Sequence, residues 1–295
     1  MLIPPFFIDC VVALGNTQSI PQPPGQPARS EWVTSGTGFF YGYIIRAEDD
    51  PKRYFIFLVT AKHVVQEHID KEIDIRLRIN SKDPTAPVKD FGLPLQVGPG
   101  HWFFHTNADI DVAVIQINWD FLTANGIEPR FFSHDQLAAN RKLLKDREVA
   151  AGDGIFLLGF PMNLTGAQRN YVVVRQGCIA RISEMLDGAS PSFLIDAPAY
   201  PGNSGGPVIL KPEITAIEGT KSQGTATLLG LVTNYMPYTD VAVSAQTQQV
   251  RVIFQENSGL ALVLPIDYID ETIAAYRAAF PAAEPSKPNV VAPES

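Results

Sequence analysis

A glycine-rich segment surrounds Ser204, with the sequence Pro201-Gly202-Asn203-Ser204-Gly205-Gly206-Pro207. Glycines on both sides of a serine permit a sharp bend, because glycine adopts backbone conformations that other residues avoid. Such a bend can direct successive main-chain N–H groups at one point, as the stabilisation of an oxyanion requires. A bare Ser-Gly-Gly tripeptide is ordinarily only a turn, but the longer string is much rarer. Ser204 is therefore a candidate nucleophile.

A serine hydroxyl is a weak nucleophile unless a neighbouring base accepts its proton. Of the five histidines, His63 is the strongest candidate, since it follows the apolar segment Tyr54–Thr60, whose end can present a side chain. His68 lies five residues further on and matches no metal-ligand spacing. The other three histidines, in loop-like surroundings, are expected to lie on the surface: His101, His105 and His134.

The base in turn needs a carboxylate that orients it, and the segment Asp109-Ile110-Asp111-Val112-Ala113-Val114 offers two. Asp111 directly precedes the apolar run, where a buried acid can accept a hydrogen bond from a histidine N–H. Asp109 is the alternative, and its simpler role is a solvated loop acid. We favour Asp111.

In chain order, the segments TAKHVV (60–65), DVAV (111–114) and GNSGGP (202–207) resemble the His, Asp and Ser segments of the chymotrypsin-like, or trypsin-fold, serine proteases. The closer likeness is to bacterial HtrA-type and single-domain trypsin-like peptidases. Further segments resemble conserved strands of that group, and they carry the likeness over residues 30 to 280: GTGFF (36–40), GDGIFLLGFP (152–161), GCI (177–179) and SGLA (258–261).

The resemblance implies a role for each matched residue. Ser204 would be the nucleophile, His63 the general base and then the general acid, and Asp111 the residue that orients His63. The main-chain N–H groups of Gly202 and Ser204 would form the oxyanion hole. Thr233 would lead the substrate-binding strand, to which a peptide adds as an extra β-strand.

Departures from the family pattern bear on specificity and activation. Six residues before Ser204, where an acid would confer a preference for Arg or Lys, the chain has Pro198. We therefore expect cleavage after small or medium apolar residues, with Asn234 and Tyr235 beside the pocket and Tyr235 narrowing it. Asn203 replaces the aspartate that many secreted members pair with a new N-terminus, so activation by that ion pair is not expected.

Scattered glycine (22) and proline (24) in 295 residues indicate many short strands. We predict an all-β chain of two six-stranded antiparallel β-barrels, the chymotrypsin-like double barrel, with a C-terminal helix. The predicted parts are a first barrel with His63 and Asp111 (1–130), a connector (131–148), a second barrel with Ser204 (149–264), a helix (265–280) and a disordered tail (281–295). The connector should hold a helix over 136–146 capped by Asp135, and polar loops should occupy 211–227 and 234–247.

Composition limits the class of protein. Hydrophobic residues (45%) and charged residues (18%) are typical of a globular chain, and a net charge of −8 without any basic run argues against nucleic acid as a partner. No apolar run reaches the length of a membrane span, and the N-terminal segment does not resemble a signal peptide. The two cysteines, Cys10 and Cys178, suit free thiols in a reducing compartment. We therefore expect a cytoplasmic protein without membrane partners.

These observations favour a serine endopeptidase that works through an acyl-enzyme on protein or peptide substrates and needs no metal or organic cofactor. The alternative is a restrained or inactive protease-like scaffold that binds protein partners, and an activating protein partner is a further hypothesis. A thiol enzyme using Cys178 is the weakest option, because Cys178 falls within an apolar strand.

Overall fold

Two β-sheets form the bulk of the structure, a computed structural model that describes residues 3–20, 28–45, 51–213 and 217–281. The first sheet contains eight strands: β1 (Val11–Ile20), β2 (Arg29–Ile44), β3 (Tyr54–Thr60), β4 (Ile75–Ile79), β5 (Lys89–Leu93), β6 (Phe103–Phe104), β7 (Ala113–Gln116) and β8 (Phe132–Ser133). Seven run in the order β5-β4-β1-β2-β3-β7-β6 with antiparallel pairing, and β8 pairs with β2 in parallel.

The second sheet closes into a six-stranded barrel in the order β10-β11-β14-β13-β12-β9. Its strands are β9 (Gly154–Gly159), β10 (Val173–Arg181), β11 (Phe193–Asp196), β12 (Pro207–Leu210), β13 (Thr227–Val243) and β14 (Val250–Pro265). Every residue of β9 and β12 is buried, as expected for strands that face a core. The predicted double-barrel class is confirmed, although the first sheet has eight strands rather than six.

In the described ranges, six helices flank the sheets: α1 (Pro5–Asp9), α2 (Lys62–Asp70), α3 (Trp119–Ala124), α4 (Arg141–Asp146), α5 (Ser183–Leu186) and α6 (Ile266–Ala279). A 3₁₀ turn, Pro161–Asn163, follows β9. No helix in the described ranges is long and apolar enough to cross a bilayer.

Helix α6 leaves the second barrel and packs back on the first sheet. The ring of Tyr276 meets Phe57 edge-on at 5.6 Å and Phe103 at 5.7 Å between centroids. The hydroxyl of Tyr41, on β2, donates to Asp270 Oδ1 at 2.8 Å. Aromatic packing and one partly buried hydrogen bond thus connect the two halves through this helix.

Several predicted boundaries differ from the structure. The connector helix begins only at Arg141, because Asn140 Oδ1 accepts from Leu143 N at 2.9 Å and caps it there. Asp135 does not cap a helix and instead accepts from Tyr54 Oη at 3.0 Å. The loop predicted over 234–247 is wrong, since β13 continues through Val243. Of the predicted tail, residues 282–295 lie outside the described residues, and the predicted domain boundaries stay predictions.

Candidate active site

Strand pairing brings His63 and Asp111 together from positions 48 residues apart. β3 ends at Thr60, two residues before α2 begins, and its last residue pairs with Ala113 at the start of β7. His63 Nδ1 lies 2.6 Å from Asp111 Oδ2, and the main-chain N–H of His63 donates to Asp111 Oδ1 at 2.9 Å. Both carboxylate oxygens are engaged, so the imidazole is held in one orientation.

Asp109, the alternative carboxylate, lies elsewhere. It is exposed, and its main-chain N–H donates to the side chain of Asn107 at 3.0 Å. The described contacts of the histidine ring are therefore made by Asp111, whose side chain is 23% exposed against 45% for His63. Asp111 is the less exposed of the two because it lies next to the apolar strand β7.

The main chain around Ser204 packs against the segments that carry His63. Ser204 O accepts from the N–H of Thr37 on β2 at 2.9 Å. Gly205 has φ +84°, and a side chain there would meet the main-chain nitrogen of Ala61, two residues before His63, at 2.8 Å. Only glycine fits this close approach, so the glycine after Ser204 lets the two segments touch.

The Ser204 hydroxyl donates to the carbonyl of Thr233 at 3.1 Å. Among the described residues no hydrogen bond joins Ser204 Oγ to His63. The structure therefore shows His63 paired with Asp111 and Ser204 on the adjacent loop, with the serine side chain turned towards β13.

The main chain between Tyr200 and Ser204 forms a turn that leaves two N–H groups free. Gly202 has φ +96°, and a Cβ there would collide with the carbonyl of Phe160. Asn203 holds the turn, since its Oδ1 accepts from Tyr200 N at 3.0 Å. Within the described ranges, the N–H groups of Gly202 and Ser204 donate no hydrogen bond. They are free to bind an oxyanion.

The 3₁₀ turn Pro161–Asn163 fixes the orientation of the peptide between Pro201 and Gly202, and the side chain of Asn163 attaches this turn to the first sheet. The carbonyl of Pro201 accepts from Met162 N at 2.8 Å, which sets the direction of the Gly202 N–H on the other side of the same peptide. The next residue, Asn163, donates to Trp32 O at 2.8 Å and accepts from Thr34 N at 3.0 Å. Its side chain therefore ties the 3₁₀ turn to β2. No local sequence pattern indicated this role of Asn163.

Thr37 is a second positioning residue that the sequence analysis missed. It is fully buried, and its hydroxyl donates to Gly202 O at 2.6 Å and accepts from Phe160 N at 3.1 Å. Its main-chain carbonyl accepts from Thr60 Oγ1 at 2.8 Å. One threonine thus joins the end of β3, the end of β9 and the Ser204 loop. The segment GTGFF was noticed for its likeness, but no local pattern showed which group the threonine would meet.

The predicted substrate-binding residues lie beside Ser204 on β13. Thr233 is buried, whereas Asn234 is exposed and Tyr235 is 38% exposed. On one side this segment pairs with β14, and the pairing of β13 with β12 ends at Leu231. Among the described residues no strand pairs with the other side of residues 233–235, so an extended peptide could pair there, beside Ser204.

The predicted pocket residue Pro198 is half-buried, and the chain close to it in sequence contacts a cation through Tyr200. Tyr200, two residues further along the chain, stacks with the guanidinium of Arg175 at 5.0 Å from the ring centroid. The expectation of an uncharged pocket floor rested on Pro198 alone and did not take Arg175 into account.

The other histidines have structural contacts. His68 is buried, with Nε2 2.7 Å from Ser35 Oγ. The prediction of surface positions was wrong for His105, whose side chain is 7% exposed and lies 3.2 Å from Glu271. It was also wrong for His101 and His134, which are half-buried, and burial lowers the pKa of His134. In the part of the chain that the structure describes, no three His, Cys, Asp or Glu side chains are grouped to hold a metal ion.

A double β-barrel with His63, Asp111 and Ser204 at the junction of the two sheets defines the class of chymotrypsin-like folds. The family model of the trypsin-like peptidase domain matches residues 36–213, more than half of the chain. The chain belongs to this family of trypsin-like peptidases, a class of hydrolases whose substrates are proteins or peptides. A comparison with curated proteins finds no match. The closer likeness to the HtrA-type group stays a prediction.

Proposed function

We propose that the chain is a serine endopeptidase that uses Ser204 as nucleophile, His63 as general base and Asp111 as the residue that orients His63. The observation that carries the proposal is the 2.6 Å contact between His63 Nδ1 and Asp111 Oδ2. This contact places the ring proton on Nδ1 and leaves Nε2 free to accept a proton. A histidine held in this way is suited to activating a serine.

The reaction begins with rotation of the Ser204 side chain. Its hydroxyl leaves the Thr233 carbonyl and turns towards His63 Nε2, which costs about one hydrogen bond, roughly 1 kcal/mol. Exchange between staggered rotamers is fast on the scale of turnover. Support for this step comes from the packing of Gly205 against Ala61, which keeps the serine loop beside the histidine segment.

After rotation, Ser204 Oγ attacks the peptide carbonyl while His63 accepts the hydroxyl proton. The carbonyl oxygen, now negative, is bound by the N–H groups of Gly202 and Ser204, each worth roughly 3 kcal/mol. His63 then donates its proton to the leaving amine, which gives an acyl-enzyme on Ser204. Water, deprotonated by His63, hydrolyses the ester and restores the hydroxyl.

We propose further that the substrate lies as an extended strand against residues 233–235. The open edge of β13 supports this position. Pro198 and Tyr235 suit a small or medium apolar residue before the cleaved bond. A peptide library sorted by that residue tests the preference; dominant cleavage after acidic residues would instead implicate Arg175, which stacks beside Tyr200.

Peptide hydrolysis by Ser204→Ala tests the central assignment. The variant should fold like the wild type and lose turnover, because the attacking oxygen is gone while the buried contacts of the loop remain. Ser30→Ala, at an exposed serine on β2, is the control and should keep full activity. Turnover by Ser204→Ala at the wild-type rate would disprove the nucleophile assignment.

We also propose a cytoplasmic location. Cys10 is buried and Cys178 half-buried, and both are free, as suits a reducing compartment. Alkylation of freshly lysed cells should label both thiols after unfolding without prior reduction. Thiols that become reactive only after a reductant is added would contradict this location.

A further inference from the structure

Arg175, on β10, is a cation that the rest of the chain leaves without a charged partner. The residue is half-buried, and its guanidinium stacks over the ring of Tyr200 at 5.0 Å from the centroid. Its Nε is buried and donates no hydrogen bond, and within the described ranges Arg175 forms no ion pair. Charged side chains that are partly removed from water are normally paired. Because the chain carries a net charge of −8 and still provides no acid here, the partner of this cation is expected to come from another molecule.

The loop that carries Ser204, here called the serine loop (residues 197–206), divides the end of the second barrel into two sides. It leads from β11 to β12, which are three places apart in the closed order β10-β11-β14-β13-β12-β9. Strands β13 and β14 therefore lie on one side of the serine loop, and β9 and β10 lie on the other. A contact on the first of these sides agrees with this, since Asn257 Nδ2 of β14 donates to Ala199 O at 2.6 Å.

Arg175 and Met162 contact the serine loop from the β9–β10 side. Strand β10 runs close to the start of the loop, because a side chain at Gly177 would meet the Cβ of Ala197 at 2.8 Å. Arg175 continues this contact two residues earlier on β10, where it lies against Tyr200. Met162, which follows β9, donates its N–H to the loop and has a side chain that is 51% exposed. A cation and an apolar side chain thus border the oxyanion-binding turn on this side.

The two sides of the serine loop meet different parts of a bound peptide. In the proposed function, on which this inference rests, the residues before the cleaved bond lie along residues 233–235 of β13. The carbonyl of the cleaved bond then lies at the N–H groups of Gly202 and Ser204, on the loop itself. An extended chain advances about 3.3 Å per residue, so the segment after the cleaved bond reaches the β9–β10 side within a few residues.

We propose that Arg175 binds the carboxylate of an acidic side chain in the segment that follows the cleaved bond, and that it is therefore a specificity-determining residue. A guanidinium that stacks on an aromatic ring keeps the N–H groups along its edge available, and these match the two oxygens of a carboxylate. The two Nη groups of Arg175 donate no hydrogen bond within the described ranges and are not buried. The preference for an apolar residue before the cleaved bond concerns the β13 side and is unaffected.

Matched pairs of internally quenched peptides, built on the sequence that the peptide library selects before the cleaved bond, test the proposal. The members of a pair have amidated C-termini and differ only in Glu or Gln at the first, second or third residue after that bond. At one of these positions the wild type should cleave the Glu member about tenfold faster in kcat/KM, as a charge-assisted contact implies. In Arg175→Gln the ratio of the two rates should fall to about one. Arg251→Gln removes an exposed cation from β14 and is the control, which should keep the wild-type ratio.

The ratio of rates separates recognition from a general loss of activity, because a displaced Tyr200 would slow both members of a pair. Equal cleavage of Glu and Gln peptides by the wild type, or a preference for Glu that persists in Arg175→Gln, would overturn the proposal while the peptidase function stands. A preference for Glu confined to the residue before the cleaved bond would also overturn it, since Arg175 would then act on the other part of the substrate. If no peptide of the library is cleaved, the proposed function fails and this inference fails with it.

Discussion

Replacement of Thr37 by valine probes the junction between the two sheets. Valine has nearly the shape of threonine but no hydroxyl, so it leaves Gly202 O and Phe160 N without their buried partner. An unpaired buried polar group costs about 1–3 kcal/mol, so the loss of two such partners should lower the free energy of unfolding by about 2–6 kcal/mol. Thr37→Ser keeps the hydroxyl and loses one methyl group, which costs about 1 kcal/mol.

The same substitution should reduce catalysis. Gly202 O belongs to the peptide that lies between the two N–H groups proposed to bind the oxyanion. Movement of this peptide misplaces both donors, and displacements near 1 Å cost about 10²-fold in rate. We expect kcat to fall about 10- to 100-fold in Thr37→Val, with KM little changed.

Urea unfolding monitored by tryptophan fluorescence, together with steady-state kinetics, measures both effects. Thr37→Ser should retain most of the stability and rate, since its hydroxyl can still bridge the two partners. Equal stability and equal rates in the valine and serine variants would show that the two hydrogen bonds of the Thr37 hydroxyl do not position the loop.

Three other substitutions have defined outcomes. Asp111→Asn should lower kcat about 10³–10⁴-fold without unfolding, because the amide favours the wrong tautomer of His63; an active variant would contradict this. Asn163→Ala should lower kcat about tenfold at constant KM, and unchanged kinetics would show that Asn163 does not position the Gly202 peptide. Burial raises the pKa of Asp270 from 3.8 to about 7, so its ionisation lowers the free energy of unfolding as pH rises through this window. Asp270→Asn still accepts a hydrogen bond from Tyr41 and should therefore be more stable than the wild type by on the order of 2 kcal/mol at about pH 8, but not at about pH 4. Urea titrations at the two pH values measure this difference, and an equal effect at both would contradict it.

The sequence could predict what local patterns encode. Apolar strands bounded by turns gave the double barrel, and β3 occurs at the bounds of the apolar segment Tyr54–Thr60. Asp111 was preferred to Asp109 because it adjoins an apolar run, and the structure places Asp111 against His63. The assignment of catalytic roles to these residues is still a prediction.

The remaining features depend on contacts that no local pattern contains. Thr37 meets Gly202 across 165 residues and Asn163 meets Trp32 across 131, so neither positioning role could be read from neighbouring residues. The second half of β13 was predicted as a loop, because Pro237 and Asp240 are typical of turns and the residues from 234 to 243 are all exposed. Strand β1 escaped notice because its second half, from Thr17 to Ser19, is polar and exposed.

Labelling with a serine-reactive fluorophosphonate, followed by mass-spectrometric mapping of the adduct, tests the nucleophile most directly. The account predicts one stoichiometric adduct on Ser204 of the native protein. Protein that is unfolded before the reagent is added should not be labelled, and labelling of Asp111→Asn should be much slower. A native, folded protein whose Ser204 stays unmodified under conditions that label an active serine peptidase would contradict it.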